Sequence, residues 1–157
     1  MQITRRKLLR LGSALSVLCI TAGSALFRTG SAWASDIWNK NAFSAKAVDE
    51  VLKAFGGTHA QPSSEITLTV PEIAENGAVV PVIIESKLLN TRAIHILVEK
   101  NPFALSATFD IPPGTDPYIG ARIKIGSTSN VYALVRTDSG FFITQKEVKV
   151  TLGGCGG

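Results

Sequence analysis

The most unusual reactive group in this 157-residue chain is a thiol near its end. The last five residues are Gly153, Gly154, Cys155, Gly156 and Gly157. A thiolate both attacks sulfur centres and leaves from them, so a cysteine can carry sulfur as a persulfide or a thiosulfonate. No helix or histidine lies close enough in sequence to activate this thiol. We therefore expect its pKa to lie near the free value of about 8.5, so that a partner must supply the activation.

The glycines on both sides of Cys155 predict a flexible tether, because glycine has the greatest backbone freedom of any residue. Five extended residues reach at most about 17 Å beyond Leu152, and a flexible coil of that length has a root-mean-square reach of about 12 Å. Such a tether can enter a narrow channel in another protein, as lipoyl and biotin arms do. We interpret residues 153–157 as a carrier arm. An interchain disulfide through Cys155 and an accidental cysteine are the alternatives.

The rest of the sequence offers little self-contained chemistry. It has two histidines, His59 and His95, and no Cys or His pair at metal-ligand spacing, so we expect neither a metal site nor a cofactor. His95 is predicted to be a partly exposed or hydrogen-bonded strand residue, and His59 a solvated loop residue. Glu72 and Glu75 are predicted to lie in a solvated turn. There is no Gly-x-Ser-x-Gly nucleophile motif, and we predict no catalytic residue and no enzyme.

The first 34 residues are typical of an export signal. Arg5 and Arg6 precede an apolar stretch over residues 11–27, and the Ala-Trp-Ala segment that ends at Ala34 predicts cleavage before Ser35. The segment around Arg5 and Arg6 resembles a twin-arginine export motif. The 17-residue stretch is diluted by Gly and Ser and is short for a spanning helix, which needs about 20 apolar residues. A general secretory signal and an uncleaved membrane anchor are the alternatives.

Cleavage changes both the charge and the cysteine count. The full chain has 16 basic and 12 acidic side chains and a net charge of +4. Residues 1–34 hold five of the basic and none of the acidic groups, so the 123-residue mature chain has a net charge of −1. We therefore expect no nucleic-acid binding and no stable membrane association after cleavage. Cys19 leaves with the signal, so Cys155 has no internal disulfide partner.

Residues 35–152 are predicted to form one helix followed by an all-β sandwich. Ser44 is the expected N-cap, and Gly56 and Gly57 end the helix. Between these ends the apolar residues follow a helical period, and they are Val48, Val51, Leu52 and Phe55.

From Glu65 onward the apolar residues alternate, and turn residues separate the runs. This pattern predicts seven strands, over residues 66–70, 78–85, 93–99, 105–109, 118–125, 130–137 and 141–152. Seven short strands with such turns indicate an immunoglobulin-like fold of two sheets.

Two of the predicted strands have distinctive patterns. The run 78–85 is nearly continuously apolar and contains Pro81, which predicts an edge strand or a bulge. The last strand alternates beyond residue 144. Its inward residues are predicted to be Val148, Val150 and Leu152, and its outward residues Gln145, Glu147, Lys149 and Thr151.

Three features together resemble the SoxY family, the sulfur-carrying subunit of the periplasmic thiosulfate-oxidising (Sox) system. They are the terminal Gly-Gly-Cys-Gly-Gly, the strand from Thr144 to Leu152 before it, and the strand pair from Arg122 to Val135. The segment 102–117 matches only loosely. The resemblance implies a periplasmic protein, exported by the twin-arginine route as a heterodimer with a SoxZ subunit, that carries sulfur intermediates on Cys155.

The resemblance also implies three kinds of partner enzyme. A c-type cytochrome would couple thiosulfate to Cys155, a dimanganese hydrolase would release sulfate, and a molybdenum-haem dehydrogenase, where present, would oxidise the remaining sulfane. Each enzyme would take the arm into its pocket. The competing interpretations are a secreted immunoglobulin-like interaction module with Cys155 in an interchain disulfide, and a carrier in a different sulfur route.

Overall fold

The structure is a computed structural model, and it describes residues 39–152. The predicted export signal with Arg5 and Arg6, the predicted cut between Ala34 and Ser35, and the predicted arm over residues 153–157 lie outside the described residues.

Two short helices precede nine strands in the described part of the chain. The helices are α1 (Lys40–Ser44) and α2 (Val48–Ala54). The strands are β1 (Ala60–Pro62), β2 (Ile66–Thr69), β3 (Ile73–Asn76), β4 (Val80–Ser86), β5 (Thr91–Val98), β6 (Leu105–Asp110), β7 (Tyr118–Ile123), β8 (Ser129–Thr137) and β9 (Gly140–Leu152).

The strands form two sheets, which confirms the predicted all-β, immunoglobulin-like sandwich. One sheet has six strands in the order β1-β9-β8-β5-β6, with β3 also paired to β9, and the other has the order β2-β4-β7. Their inward side chains form the main core, in which Val82, Ile94 and Val131 are fully buried. All seven predicted strands are present.

Strands β1 and β3 were not predicted. Each has at most four residues, and each pairs in parallel with β9. Most of their side chains are exposed, so they lack the alternation of apolar residues that marks a strand in a sequence. Their backbones are ordered by pairing with β9 rather than by burial of their own side chains.

The helical region differs from the prediction at its start. The single helix capped by Ser44 is wrong, because Ser44 ends α1 and its hydroxyl donates to the Lys40 carbonyl at 2.9 Å. The N-cap of α2 is Ala47, where the Glu50 carboxylate accepts from the Lys46 and Ala47 amides.

The predicted apolar stripe of α2 is confirmed. Val51 and Leu52 are buried against Leu97 and Leu134, on the outer face of the six-stranded sheet. As predicted, the helix ends before Gly56, which has a φ of +82°.

Pro81 lies in a different setting from the one predicted. Strand β4 is the central strand of its sheet, so the expected edge strand is wrong. However, β2 ends at Thr69 opposite Ile83, so at Pro81 the ladder continues only toward Arg122 of β7. A proline is tolerated here because its strand pairs on one side only at this point.

Among the described residues, no helix has the length and apolar character needed to cross a membrane.

Gly57 is a position where we expect any side chain to be costly. A Cβ atom there would lie 2.5 Å from Leu52 Cδ1 and 2.8 Å from Phe141 Cδ2, which both belong to the packed layer under α2. Gly57→Ala should lower the free energy of unfolding by about 1–2 kcal/mol through overpacking. Urea denaturation measures this change.

Gly120→Ala is the matched control, because a Cβ at Gly120 meets nothing within 4 Å. Its free energy of unfolding should stay within about 0.5 kcal/mol of wild type. Equal destabilisation of the two variants would contradict the packing argument.

Candidate functional site

The structure shows how the chain is held immediately before the predicted arm. Strand β9 has 13 residues and ends at Leu152, so Gly153 follows a paired strand directly. Strand β8 pairs with β9 only as far as Val148, opposite Ser129. Beyond Val148, β9 pairs with the parallel strand β3, and this pairing continues to Leu152 opposite Asn76.

Hydrogen bonds on both sides of β9 hold this last segment. On one side, the Lys149 amide donates to the Glu72 carbonyl at 2.9 Å, and the Thr151 hydroxyl donates to the Glu75 carbonyl at 3.3 Å. On the other side, the Val150 amide donates to Thr128 Oγ1 at 3.0 Å. A side-chain oxygen thus continues the ladder where β8 has ended.

The segment that carries Thr128 is itself held in place. Asn101 donates from Nδ2 to the Lys124 carbonyl at 2.8 Å and accepts from the Gly126 amide at 3.0 Å. The Ile125 amide donates to the Gly77 carbonyl at 2.7 Å, which ties the same segment to the end of β3. We call β9 149–152, β3 and Thr128 the arm base.

The predicted alternation of β9 is confirmed where its side chains are described. Val148 is fully buried, and Val150 packs against the main core. The outward residues are exposed as predicted, and they are Gln145, Glu147, Lys149 and Thr151.

The prediction for Glu72 and Glu75 is wrong in one respect. Both side chains are exposed and Glu72 lies in a bend, but Glu75 lies within β3 and not in a turn. The carbonyls of both residues accept hydrogen bonds from the end of β9. Only Ala74 of β3 is buried, while the larger Ile73 beside it is exposed, so the sequence of this stretch does not indicate a strand.

His95 is hydrogen-bonded, as one of the two predicted settings requires, but it is not partly exposed. Its Nδ1 lies 2.7 Å from Thr108 Oγ1, and its ring stacks on Phe55 at a centroid distance of 4.1 Å. The side chain is 2% exposed, and Nε2 has no hydrogen-bond partner among the described residues. Burial, together with the positive charge of Arg136, lowers the pKa of His95 to about 4. His95 is a neutral core residue under α2.

His59 is exposed, as predicted. It lies after α2 at an open cleft that Glu99 and Tyr132 also line. Among residues 39–152, no three His, Cys, Asp or Glu side chains come together in a way that could hold a metal ion.

The geometry defines the class of protein: an immunoglobulin-like sandwich whose last strand leads directly into a Gly-Gly-Cys-Gly-Gly terminus. The family model of the sulfur oxidation protein SoxY matches residues 51–155, a range that ends at Cys155. The chain belongs to the SoxY family.

A solved structure supports this assignment. The sulfur carrier protein SoxY from Chlorobium limicola f. thiosulfatophilum is 33% identical, and the similarity covers 66% of this chain and 94% of that one with a TM-score of 0.60. The superoxide reductase (neelaredoxin) from Ignicoccus hospitalis is 18% identical over 59% of this chain and 80% of that one, with a TM-score of 0.49, too weak a likeness to carry functional meaning. Curated proteins give no match.

Thr128 should have a measurable effect on the arm base. Thr128→Val keeps the side-chain shape but removes the acceptor of the Val150 amide. Loss of about 1 kcal/mol of local stability should speed hydrogen exchange at the Val150 amide about fivefold. Exchange followed by NMR measures this rate.

The Lys149 amide provides an internal control, because it donates to Glu72 instead. Thr151→Val is the matched variant, since the Thr151 hydroxyl bonds to Glu75 and not to the Val150 amide. An unchanged Val150 rate in Thr128→Val would show that this hydrogen bond does not hold the strand.

The buried His95 should make stability depend on pH. Its folded pKa of about 4 lies below the ordinary histidine pKa of 6.5, so the unfolded state binds the proton more readily between these values. His95 therefore leaves the free energy of unfolding at its maximum above about pH 7. Protonation of His95 in the unfolded state should lower that free energy by about 2 kcal/mol at pH 5. Denaturation curves at several pH values measure this loss, which His95→Gln should remove and His59→Gln should leave in place.

Proposed function

We propose that this chain is a sulfur carrier of a thiosulfate-oxidising system, which binds sulfur intermediates covalently through Cys155 and presents them to partner enzymes. The observation that carries the proposal is the family match that continues through the strand β9 to Cys155. The SoxY neighbour at 33% identity, described as a sulfur carrier protein, supports the same role. In this role the chain is not itself an enzyme.

The proposed chemistry follows from sulfur nucleophilicity. The Cys155 thiolate and the terminal sulfur of thiosulfate form a disulfide bond, and two electrons pass to the cytochrome partner. Water then cleaves the bond between the outer sulfur and the sulfonate, which releases hydrogen sulfate and leaves a persulfide on Cys155. Because every intermediate stays on the same sulfur atom, the chain needs no bound cofactor to carry it.

The arm base supports this division of roles. An enzyme that takes in a short tether needs a fixed point from which the tether starts, and β9 is fixed to Leu152 by pairing with β3. Five residues beyond that point allow a reach of about 17 Å. The folded sandwich can therefore stay outside a pocket that the arm enters.

The proposal also includes where the chain acts and which proteins it meets there. Arg5 and Arg6 would direct export by the twin-arginine route to the periplasm, with cleavage between Ala34 and Ser35. There the chain would form a heterodimer with a SoxZ-type subunit and would meet the thiosulfate-coupling cytochrome, the sulfate-releasing hydrolase and, where present, the sulfane dehydrogenase.

Intact-mass spectrometry tests the carrier role. Protein from thiosulfate-grown cells should carry adducts of about 32 Da for a sulfane and about 112 Da for a thiosulfonate. Cys155→Ser, produced in the same cells, should carry neither. Protein found only unmodified, or only as a dimer that a reductant separates, would contradict the proposal and favour the interchain disulfide.

Proline substitutions test the role of the glycines. Gly154→Pro and Gly156→Pro fix φ near −65° beside Cys155 and should slow turnover of the reconstituted system severalfold. The melting temperature should stay unchanged, because the substitutions follow the last paired residue. Gly154→Ala serves as the milder control, and turnover that is equal in all variants would show that backbone freedom is not needed.

A further inference from the structure

Strand β3 exposes its large apolar residue and buries its small one. Ile73 is 59% exposed, whereas the neighbouring Ala74 is only 6% exposed. A strand that packs on a core gains more from the opposite arrangement, because burial of the larger side chain removes more apolar surface from water. Packing among the described residues therefore does not account for an isoleucine at this position.

Val79 is a second exposed apolar residue close to the arm base. It is 55% exposed and lies between β3 and β4. Ile73 and Val79 lie three residues before and three residues after Asn76, which pairs with Leu152. Three residues span at most about 11 Å, so both lie within that distance of Asn76. We call Ile73 and Val79 the apolar pair.

The backbone holds the apolar pair in place beside the end of β9. Ile73 lies opposite Lys149 in the register between β3 and β9. The turn before Val79 is closed by Asn76, whose Oδ1 accepts from the Ala78 amide at 2.8 Å. Both apolar side chains therefore start from fixed positions near the last paired residue of β9.

The length of the chain limits how far Cys155 can lie from this surface. Cys155 is the third residue after Leu152, so the two Cα atoms are at most about 11 Å apart in any conformation. A protein that reacts with the thiol must therefore bring its reacting atoms close to the arm base. A standard interface covers about 800 Å² per partner, which corresponds to a disc with a radius of about 16 Å. Such an interface centred at Leu152 would extend over the apolar pair.

An exposed apolar residue at the other end of the sandwich lies outside this range. Leu89 is 86% exposed and precedes Thr91, which lies opposite Thr137. Thr137 in turn lies opposite Gly140, the first residue of β9. Because the 13 residues of β9 span about 40 Å, Leu89 is far from Leu152.

We propose that the apolar pair is a docking contact for the enzymes that act on Cys155. The occupant is an apolar rim around the enzyme pocket that admits the thiol, and this rim packs against Ile73 and Val79. Each such enzyme must approach the same arm base, so one contact can serve them all. The inference rests on the carrier role in the proposed function and names the surface that this role uses.

The test uses the full mature chain, in complex with the SoxZ-type subunit, as the substrate of the thiosulfate-coupling cytochrome. Ile73→Ser and Val79→Ser should each raise the KM for the carrier about fivefold, because each removes part of the docking contact. The kcat should change little, since the thiol and its tether are intact. Initial rates of adduct formation on Cys155, measured by intact mass at several carrier concentrations, give both values.

Two controls separate docking from other effects. Leu89→Ser is the matched variant, because it removes an exposed apolar side chain about 40 Å from Leu152, and its KM should stay within about twofold of wild type. A small disulfide reagent needs no docking, so its rate of reaction with Cys155 should be the same in all variants. Melting temperatures near wild type establish folding, and Val79→Ser tests the contact without a change in β3.

The outcomes separate this inference from the carrier role. An unchanged KM in both variants, or an equal rise in Leu89→Ser, would overturn the docking contact. An equally slow reaction with the small reagent would show that the substitutions act on the arm, and release of the SoxZ-type subunit would assign the pair to the heterodimer. Either result would overturn the inference. A wild-type chain that gains no adduct would instead contradict the carrier role itself.

Discussion

Strand β9 hydrogen-bonds to three other strands, and the arrangement of the described chain depends on this pairing. It runs antiparallel to β8 along nine residue pairs and parallel to the short strands β1 and β3. Strand β8 in turn connects β9 to β5, the strand that is buried on both faces. The strand that leads to Cys155 is therefore an integral part of the sandwich and is not an appended tail.

Much of this fold could be predicted from the alternation of side chains, because burial on one face leaves a pattern of period two. All strands with such a pattern were found. Strands β1 and β3 could not be found in this way, since backbone pairing holds them and the exposed side chains of Gln61 or Glu75 carry no trace of it. The predicted N-cap at Ser44 is wrong for a related reason. Glu50 caps α2 by folding back onto Lys46 and Ala47, a contact that the Ser44 position does not indicate.

The parts of the candidate site also differ in whether the sequence predicts them. Cys155 and its glycines are predicted from residue types alone, and they lie outside the described residues. The arm base could not be predicted in this way, since the contact of Val150 with Thr128 joins residues far apart in sequence. His95 shows the same limit, because its ring stacks on Phe55, which follows α2 and is far from His95 in sequence.

The orientation of β9 has a mechanical consequence. A force that acts on Leu152 along the axis of β9 runs perpendicular to the ladder bonds between β9 and β8. A force in this direction loads the whole ladder in shear, so many bonds resist together instead of opening one after another. The end of β9 is therefore anchored by the whole ladder with β8 rather than by its last bonds alone.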